Sequence, residues 1–196
     1  MDKTRGIRQI RKEATREKIV RTAMRVYSRQ GFFASTSDIA KEAGIAHGSI
    51  FVHFPTRDEL QMFTLNRFAE ELGEKLHDLS LAGEGLREFL HAHIGILTEY
   101  EAFYTRLISE LPSLPDEARQ TLISIHSVAS HHFMEVIEKA VQTSEIKDIP
   151  IHMLFNAWIA FVHYYLQNKD LFAPEGSVLV RYGDALIDAY LALVRV

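Results

Sequence analysis

The sequence predicts an all-α fold in which three small N-terminal helices precede a larger C-terminal helical bundle, with about nine helices in all. Two observations lead to this prediction. Apolar residues recur at spacings of three and four along most of the 196 residues, whereas the strict alternation of a β-strand is scarce. Pro and Gly fall at the ends of these periodic segments, as expected for helix boundaries.

The first three predicted helices are closely spaced. The first runs from about Ala14 to Gln30, where a glycine ends it. The residues "STSD" begin the second, because Ser35 can cap the helix and Asp38 stands at the third position of a capping box. Gly44 then turns the chain, and the third helix is predicted from roughly Ala46 to His53.

Longer helices follow, separated by the break "SLAGEG" and by the proline-containing "LPSLPDE". Thr56 and Glu59 form a second capping box at the start of the first of them. The predicted helices are Arg57–Asp78, Leu86–Tyr100, Phe103–Leu111, Asp116–Thr143, Ile151–Asn168 and Val178–Arg195. This organisation gives a head of residues 1–60, of which 1–12 are a basic arm, and a body of residues 61–196.

The last two helices carry much apolar surface. The helix from Ile151 is apolar around most of its circumference, and the final helix has a large apolar face and a second face of alanines. A second copy of the pair would complete a four-helix dimer interface, and burial within one subunit is the alternative that the pattern leaves open. The predicted homodimer contacts are Trp158, Val162, Tyr165, Leu179, Tyr182, Leu186, Tyr190 and Leu193.

Composition excludes several classes of protein. The chain has no Cys, which removes disulfides, thiolate nucleophiles and cysteine-based zinc sites. The N-terminus lacks the apolar core of a signal peptide, and the longest apolar stretch, Leu154 to Leu166, is too short to span a bilayer. No catalytic or phosphate-binding motif is present. We therefore expect a cytoplasmic protein that is not an enzyme, does not bind a membrane and uses no cofactor.

Charge is divided unevenly along the chain. Residues 1–60 contain 12 Lys/Arg and 7 Asp/Glu, a net charge of +5, whereas residues 61–196 contain 10 and 19, a net charge of −9. A basic end on an acidic body indicates that this end meets a polyanion. A solvated charged helix is the alternative that charge alone leaves open.

The third helix, within "GIAHGSIFVHF", is short and has little to bury. Two helices joined by a tight Gly turn form a helix-turn-helix, whose second helix enters the major groove of DNA. Gly48 permits close approach to base edges, and His47, Ser49 and His53 can bond phosphates or bases. Arg57, at the start of the fourth helix, adds a candidate phosphate contact.

The segment from Lys18 to Leu60 resembles the DNA-binding head of the TetR family of transcriptional regulators across three helices without a gap. The resemblance implies a homodimer that binds a palindromic double-stranded DNA operator, usually as a repressor, and releases it when the body binds a small-molecule effector. It also places the start of the second helix and part of the third at the DNA. The predicted DNA-binding residues are Ser35, Thr36, Ser37, His47, Gly48, Ser49, Phe51, Val52, His53 and Arg57.

Three positions depart from the pattern of that family. Ala46 replaces a capping Ser or Thr, Phe51 replaces a Tyr that can donate a hydrogen bond, and His47 replaces a Lys. Each change removes or weakens a contact with DNA at neutral pH. The basic arm is expected to compensate through phosphate or minor-groove contacts, with a solvated tail as the alternative.

The body contains the candidate effector site. A pocket of aromatic and histidine side chains suits an apolar or aromatic ligand with one or two hydrogen-bonding groups, although the same spacing fits an ordinary core. The candidates are Phe103, Tyr104, His126, Phe133, Trp158, Phe161 and Tyr164. The body histidines lack metal-ligand spacing, so no metal site is predicted. The competing interpretation of the whole chain is a helical protein-interaction module that does not bind DNA.

Overall fold

The computed structural model describes residues 3–80 and 85–196, and within these ranges the chain forms ten α-helices and no β-strand. The helices are α1 Lys3–Gln30, α2 Thr36–Ala43, α3 His47–His53, α4 Arg57–Ser80, α5 Leu86–Glu99, α6 Glu101–Glu110, α7 Asp116–Gln142, α8 Ile151–Gln167, α9 Lys169–Phe172 and α10 Val178–Val194. The predicted all-α fold, a three-helix helix-turn-helix head followed by a helical bundle, is confirmed.

Some boundaries differ from the prediction. α1 begins at Lys3 instead of near Ala14, because the basic segment is rich in good helix formers, and its side chains at residues 8–14 are exposed. The four-residue helix α9 is too short to produce a periodic pattern in the sequence. Of the predicted break "SLAGEG", residues 81–84 lie outside the described residues.

Local turn and cap chemistry sets the geometry of the head. Gly31 and Gly44 follow α1 and α2 in the left-handed conformation, with φ of 83° and 64°, which glycine adopts without a steric penalty. The Ser35 hydroxyl accepts a hydrogen bond from the N–H of Asp38 at 3.1 Å, as the capping box predicts. Thr56 accepts one from the N–H of Glu59 at 3.1 Å in the same way at the start of α4.

One apolar core runs through head and body. The Phe32 ring, which follows α1, stacks on Tyr27 at 5.2 Å and meets Phe103 of α6 edge-on at 5.2 Å. Phe103 in turn lies 4.8 Å from Phe68 of α4, and all four rings are at most 2% exposed. Because α4 begins at Arg57 and continues to Ser80, the head and the body share this helix as well as the core.

A glutamate fixes each end of α6. At its first residue, the buried Glu101 carboxylate accepts hydrogen bonds from the N–H groups of Val178 at 2.9 Å and Leu179 at 3.1 Å, where an anion is favoured by the start of α10. At its last residue, Glu110 accepts a hydrogen bond from the N–H of Phe32 at 2.8 Å. α6 therefore connects the head to the last helix of the body.

Gly31→Ala is expected to destabilise the protein more than Gly44→Ala. Both changes force a side chain into the left-handed conformation, at a cost of about 1 kcal/mol. Only at Gly31 would the new Cβ also crowd a neighbour, at 2.9 Å from Oε2 of Glu110 and closer to Oε1, whereas nothing lies within 4 Å of a Cβ at Gly44. The free energy of unfolding in urea should fall by about 1 kcal/mol more for Gly31→Ala. Equal losses would contradict the close approach of Glu110.

Candidate functional site

The first turn of α2 faces solvent. Ser35 and Ser37 are exposed, and Thr36 is half-buried. The Ser35 hydroxyl also donates to Oδ2 of Asp38 at 2.8 Å, so the cap holds this side chain at the end of the helix. Hydroxyls beside the free N–H groups of a helix start can bind a phosphate oxygen.

α3 packs through one side only. Ile50 and, directly after the helix, Phe54 are buried, with exposures of 0% and 1%. On the outer side, Phe51 and Val52 are 41% and 71% exposed, and a Cβ added to Gly48 would meet nothing within 4 Å. α3 is thus a short helix with an open outer face, which has no side chain at Gly48.

His47 connects the two helices of the motif. Its Nε2 lies 2.8 Å from the hydroxyl of Thr36 in α2, and its ring meets Phe51 edge-on at 5.3 Å. His47 remains exposed, so these contacts orient the imidazole without burying it. A side chain oriented in this way loses less conformational entropy on binding than a free one. No side chain caps α3, as the presence of Ala46 in place of Ser or Thr implies.

Two predicted DNA-binding residues make contacts inside the protein. Arg57 is half-buried and donates to the carbonyl oxygen of Phe32 at 2.9 Å, so it holds the turn between α1 and α2. His53 is half-buried, and its carbonyl oxygen accepts a hydrogen bond from Arg16 at 2.9 Å. The guanidinium of Arg16 also lies 4.4 Å from the centre of the Phe54 ring. The contacts of Arg16 fix the end of α3 against α1, and the hydrogen bond from Arg57 fixes the start of α4 against the turn after α1.

Phe33 is a surface aromatic of the head that the sequence analysis missed. Its side chain is 59% exposed, and the guanidinium carbon of Arg57 lies 5.5 Å from the centre of its ring. The sequence signal is the pair "FF" after Gly31, because Phe32 fills the core and the next residue has to point elsewhere. Phe33 lies just before the first turn of α2 and extends the exposed surface there.

The basic part of α1 lies beside the end of α3. Residues 8–14 are all exposed. Burial is the main cause that lowers the pKa of the His53 imidazole, and the nearby cations of Lys12 and Arg16 lower it further. The positive charge of the head is therefore close to the exposed helix, although it forms part of α1 instead of a separate arm.

The predicted effector residues fall into two groups. One group belongs to the core, with exposures of at most 2%: Phe103, Tyr104, Phe133 and Trp158. The other group reaches solvent at least in part: His126, Phe161 and Tyr164. The Tyr104 hydroxyl joins the two groups, since it lies 3.0 Å from Nε2 of His126 and 2.8 Å from Nε2 of His163, a residue that sequence reasoning did not select.

Imidazoles near Tyr104 are uncharged at neutral pH. Burial lowers the pKa of His163 to about 4 and also lowers the pKa of His126. His93 is buried, accepts a hydrogen bond from Nε1 of Trp158 at 3.3 Å, and has a pKa lowered to about 4, again mainly by burial. This part of the body therefore presents neutral donors and acceptors.

Most of the predicted dimer residues lie inside one subunit. Trp158, Val162, Leu179, Leu186 and Tyr190 are at most 4% exposed, so a partner could reach them only if the helices separated. The remaining three are Tyr165 and Tyr182, which are half-buried, and Leu193, which is 60% exposed. Beside charged side chains such as Asp184 and Asp188, the exposed surface of α8 and α10 includes small and aromatic ones: Ala157, Ala160, Tyr164, Ala185, Ala189 and Ala192.

Metal-binding clusters and membrane-spanning helices are both absent from the part of the chain that the structure describes. Within residues 3–80 and 85–196, no group of three or more His, Asp or Glu side chains could hold a metal ion. No helix in the same ranges is both long enough and apolar enough to cross a bilayer.

A helix-turn-helix with a small, exposed second helix, carried by a helical body, defines a DNA-binding regulator. The profile of bacterial regulatory proteins of the tetR family matches residues 19–61, and the profile of the tetracyclin repressor-like C-terminal domain matches residues 80–167. The chain belongs to the TetR family of transcriptional regulators.

Individual proteins are similar along nearly the whole chain. The HTH-type transcriptional repressor KstR2 of Rhodococcus jostii is 27% identical over 93% of this chain and 90% of its own length. A transcriptional regulator from Saccharomonospora viridis, solved in complex with choline, has a TM-score of 0.79 at 17% identity and covers 94% of this chain and 99% of its own. FadR from Bacillus subtilis, solved with stearoyl-CoA, has a TM-score of 0.71 at 16% identity and covers 90% and 97%. Because their sequence identities with this chain are low, these two structures show only that the fold is shared.

Gly48→Ala is expected to raise stability and weaken DNA binding at the same time. Alanine is the better helix former by about 1 kcal/mol, and the space around Gly48 accommodates a methyl group. In the complex the same methyl group would hold α3 away from the base edges. Affinity for an operator selected from a random duplex library should fall about tenfold, as measured by fluorescence anisotropy.

Gly95→Ala is the matched control for this change. Gly95 is an exposed helical position of α5, and nothing lies within 4 Å of a Cβ built there. This variant should gain stability and keep its affinity for DNA. If the Gly48→Ala protein bound the operator as tightly as the wild type, the outer face of α3 would not be part of the DNA interface.

Proposed function

We propose that the protein is a ligand-responsive repressor that binds a palindromic operator as a homodimer and releases it when a small apolar or aromatic effector binds the body. The observation that carries this proposal is the outer face of α3, where Phe51 and Val52 are exposed and Gly48 leaves open space while Ile50 is buried. A small, partly apolar face suits the thymine methyl groups and base edges of a major groove.

Phosphate contacts would surround this face. The capped start of α2 supplies hydroxyls and N–H groups, and the exposed basic segment of α1 supplies cations next to the end of α3. His47, oriented by Thr36, would donate a hydrogen bond to a phosphate or a base. Arg57 would act mainly by holding the carbonyl of Phe32, and thereby the position of α2.

A palindromic operator requires two heads related by a two-fold axis. The exposed alanines of α8 and α10 support a dimer through these helices, because small side chains let two helix pairs approach closely. Leu193 and Tyr164, at 60% and 56% exposure, would be covered by the partner. The predicted dimer residues that are buried within one subunit would then pack beneath the interface and hold its two helices together.

The body would supply the effector site. Structures of this fold contain ligands as different as choline and stearoyl-CoA, which supports a ligand site in a body of this shape. The aromatic and histidine side chains around Tyr104 favour an apolar or aromatic effector. The effector has to bind the arrangement that releases DNA more tightly than the arrangement that holds it, by typically about 1–3 kcal/mol.

Val52→Glu is expected to abolish operator binding in a folded protein. Val52 is 71% exposed, so the carboxylate stays in water in the free protein, but in the complex it would face phosphates and base acceptors. Leu171→Glu makes the same change in charge at a 74% exposed position on α9 and should leave the affinity unchanged.

The salt dependence of wild-type binding tests the same interface. The logarithm of the association constant should fall with the logarithm of salt concentration, with a slope of about −0.9 for each phosphate contact. A flat salt dependence together with normal binding by Val52→Glu would favour a protein-interaction module over a DNA-binding regulator.

Ala189→Glu is expected to convert the dimer into a folded monomer. Ala189 is exposed on α10, and an unpaired carboxylate at the centre of an apolar interface costs several kcal/mol, roughly enough to separate the subunits. Ser124→Glu, at an exposed position of α7, is the control that should remain dimeric. Light scattering gives the mass, and circular dichroism confirms the fold. A dimeric Ala189→Glu protein would place the interface elsewhere.

A further inference from the structure

The cleft between α7 and α8 has a chemical character that narrows the class of effector. We propose that this cleft binds an uncharged, largely apolar molecule with a hydroxyl group, and that His126 hydrogen-bonds this hydroxyl. The inference rests on the proposed function, because it specifies the chemistry of the effector and the residue that recognises it.

The cleft combines apolar walls with a polar floor. Its volume is about 410 Å³, and its walls include Ile123, Met134 and Phe155. Ile123 is 50% and Met134 38% exposed, so a ligand would remove apolar surface from water. The polar part of the lining consists of Ser127, Ser130, Asn156 and the imidazoles of His126 and His131. A space of this size accommodates a small organic molecule.

Two residues behind His126 hold its ring. The hydroxyl of Tyr104 lies 3.0 Å from Nε2 of His126 and 2.8 Å from Nε2 of His163. Tyr104 is 2% exposed, and these two imidazoles satisfy its hydroxyl. Because Nε2 of His126 is occupied by Tyr104, Nδ1 is the ring atom that remains for a ligand. Tyr104 and His163 are positioning residues, and His126 is the one that lines the cleft.

The shared hydroxyl couples the proton positions of the two rings. Its single proton can be donated to only one Nε2, so the other ring must donate its own Nε2–H to the hydroxyl oxygen. In one ring Nδ1 is therefore protonated and can donate a hydrogen bond. In the other ring Nδ1 is unprotonated and can accept one. Reversing both hydrogen bonds converts Nδ1 of His126 from one role to the other. A ligand hydroxyl can pair with either form, since it both donates and accepts.

Charge also favours an uncharged ligand. Among the described residues that line the cleft there is no Lys or Arg. His131, at the exposed edge of the cleft, already has an acidic neighbour, since its Nε2 lies 3.9 Å from the carboxylate of Glu135. Burial lowers the pKa of His126 and His163, so the floor is neutral at physiological pH. A carboxylate or phosphate on the ligand would lose its water without gaining a cation.

The position of Tyr104 gives such a ligand a connection to the head. Tyr104 belongs to α6, and the preceding residue, Phe103, packs on Phe32 with ring centres 5.2 Å apart. At the end of α6, Glu110 holds the N–H of Phe32, and Arg106 donates to the carbonyl oxygen of Arg29 at 3.3 Å. A ligand that moves His126 therefore acts on a helix that contacts the turn before α2.

Three matched probes test the proposal with the full-length protein. para-Hexylphenol carries the hydroxyl, hexylbenzene lacks it, and para-hexylbenzoate replaces it with an anion; shorter and longer para-alkylphenols cover differences in cleft length. Isothermal titration calorimetry should show para-alkylphenol binding at least about tenfold tighter than binding of hexylbenzene or hexylbenzoate, in line with the loss of one buried hydrogen bond. His126→Phe, which leaves Tyr104 bonded to His163, should remove this preference. His152→Ala, at an exposed position of α8, should keep it.

Operator binding, measured by anisotropy with the same preparations, separates this proposal from the proposed function. We expect the wild-type protein to bind the operator and to release it when para-hexylphenol is added. The His126→Phe protein should bind the operator but not release it. Three results would overturn the proposed site while operator binding stays normal: no para-alkylphenol binding, a preference for hexylbenzoate, or full phenol binding by His126→Phe. Each of them would be compatible with a DNA-binding regulator. Loss of operator binding in the absence of probe would overturn the proposed function instead.

Discussion

The placement of the DNA-facing helices depends on how Phe32 is held. Its N–H donates to Glu110 of α6 at 2.8 Å, and its carbonyl oxygen accepts from Arg57 at 2.9 Å and from the buried Gln61 at 3.0 Å. Its ring lies on Phe103. Buried backbone groups need such partners, and here the partner of the N–H comes from α6 and the two partners of the carbonyl oxygen come from α4. The turn that leads into α2 is therefore positioned by the body as much as by the head.

This arrangement explains how a body and a head can communicate without a separate hinge domain. α6 contacts α10 through Glu101, a polar cluster through Tyr104, and the head through Phe103 and Glu110. A packed core of this kind changes between discrete arrangements instead of deforming gradually. A shift of α6 relative to α4 would change the hydrogen bonds of Phe32 to both helices. The direction of α2 and α3 would change with them.

The sequence was sufficient where structure is decided locally. The left-handed Gly31 and Gly44, the Ser35 cap and the uncapped start at Ala46 all follow from interactions among neighbouring residues. The short third helix with little to bury followed from its small and polar residues, and in the structure Ile50 is its buried residue. The resemblance to a known family indicated how the three helices of the head are arranged.

Features that depend on distant residues could not be predicted in this way. The spacing of Trp158, Val162 and Tyr190 marks an apolar face, but it does not say whether that face meets the same subunit or another, and the structure buries these residues within one. The engagement of Arg57 by Phe32, which lies 25 positions earlier, has no local signal. The pairing of Tyr104 with His163, across 59 positions, has none either.

The continuous core also determines how the protein can come apart. Tyr27 and Phe32 are fully buried, and Phe103, which contacts Phe32, belongs to α6; residues 1–60 alone would leave these rings in water. Because the core is shared, head and body are expected to unfold together in one cooperative transition. A head cut from the body would lose the α6 surface that covers Phe32, so its shape is expected to depend on that attachment.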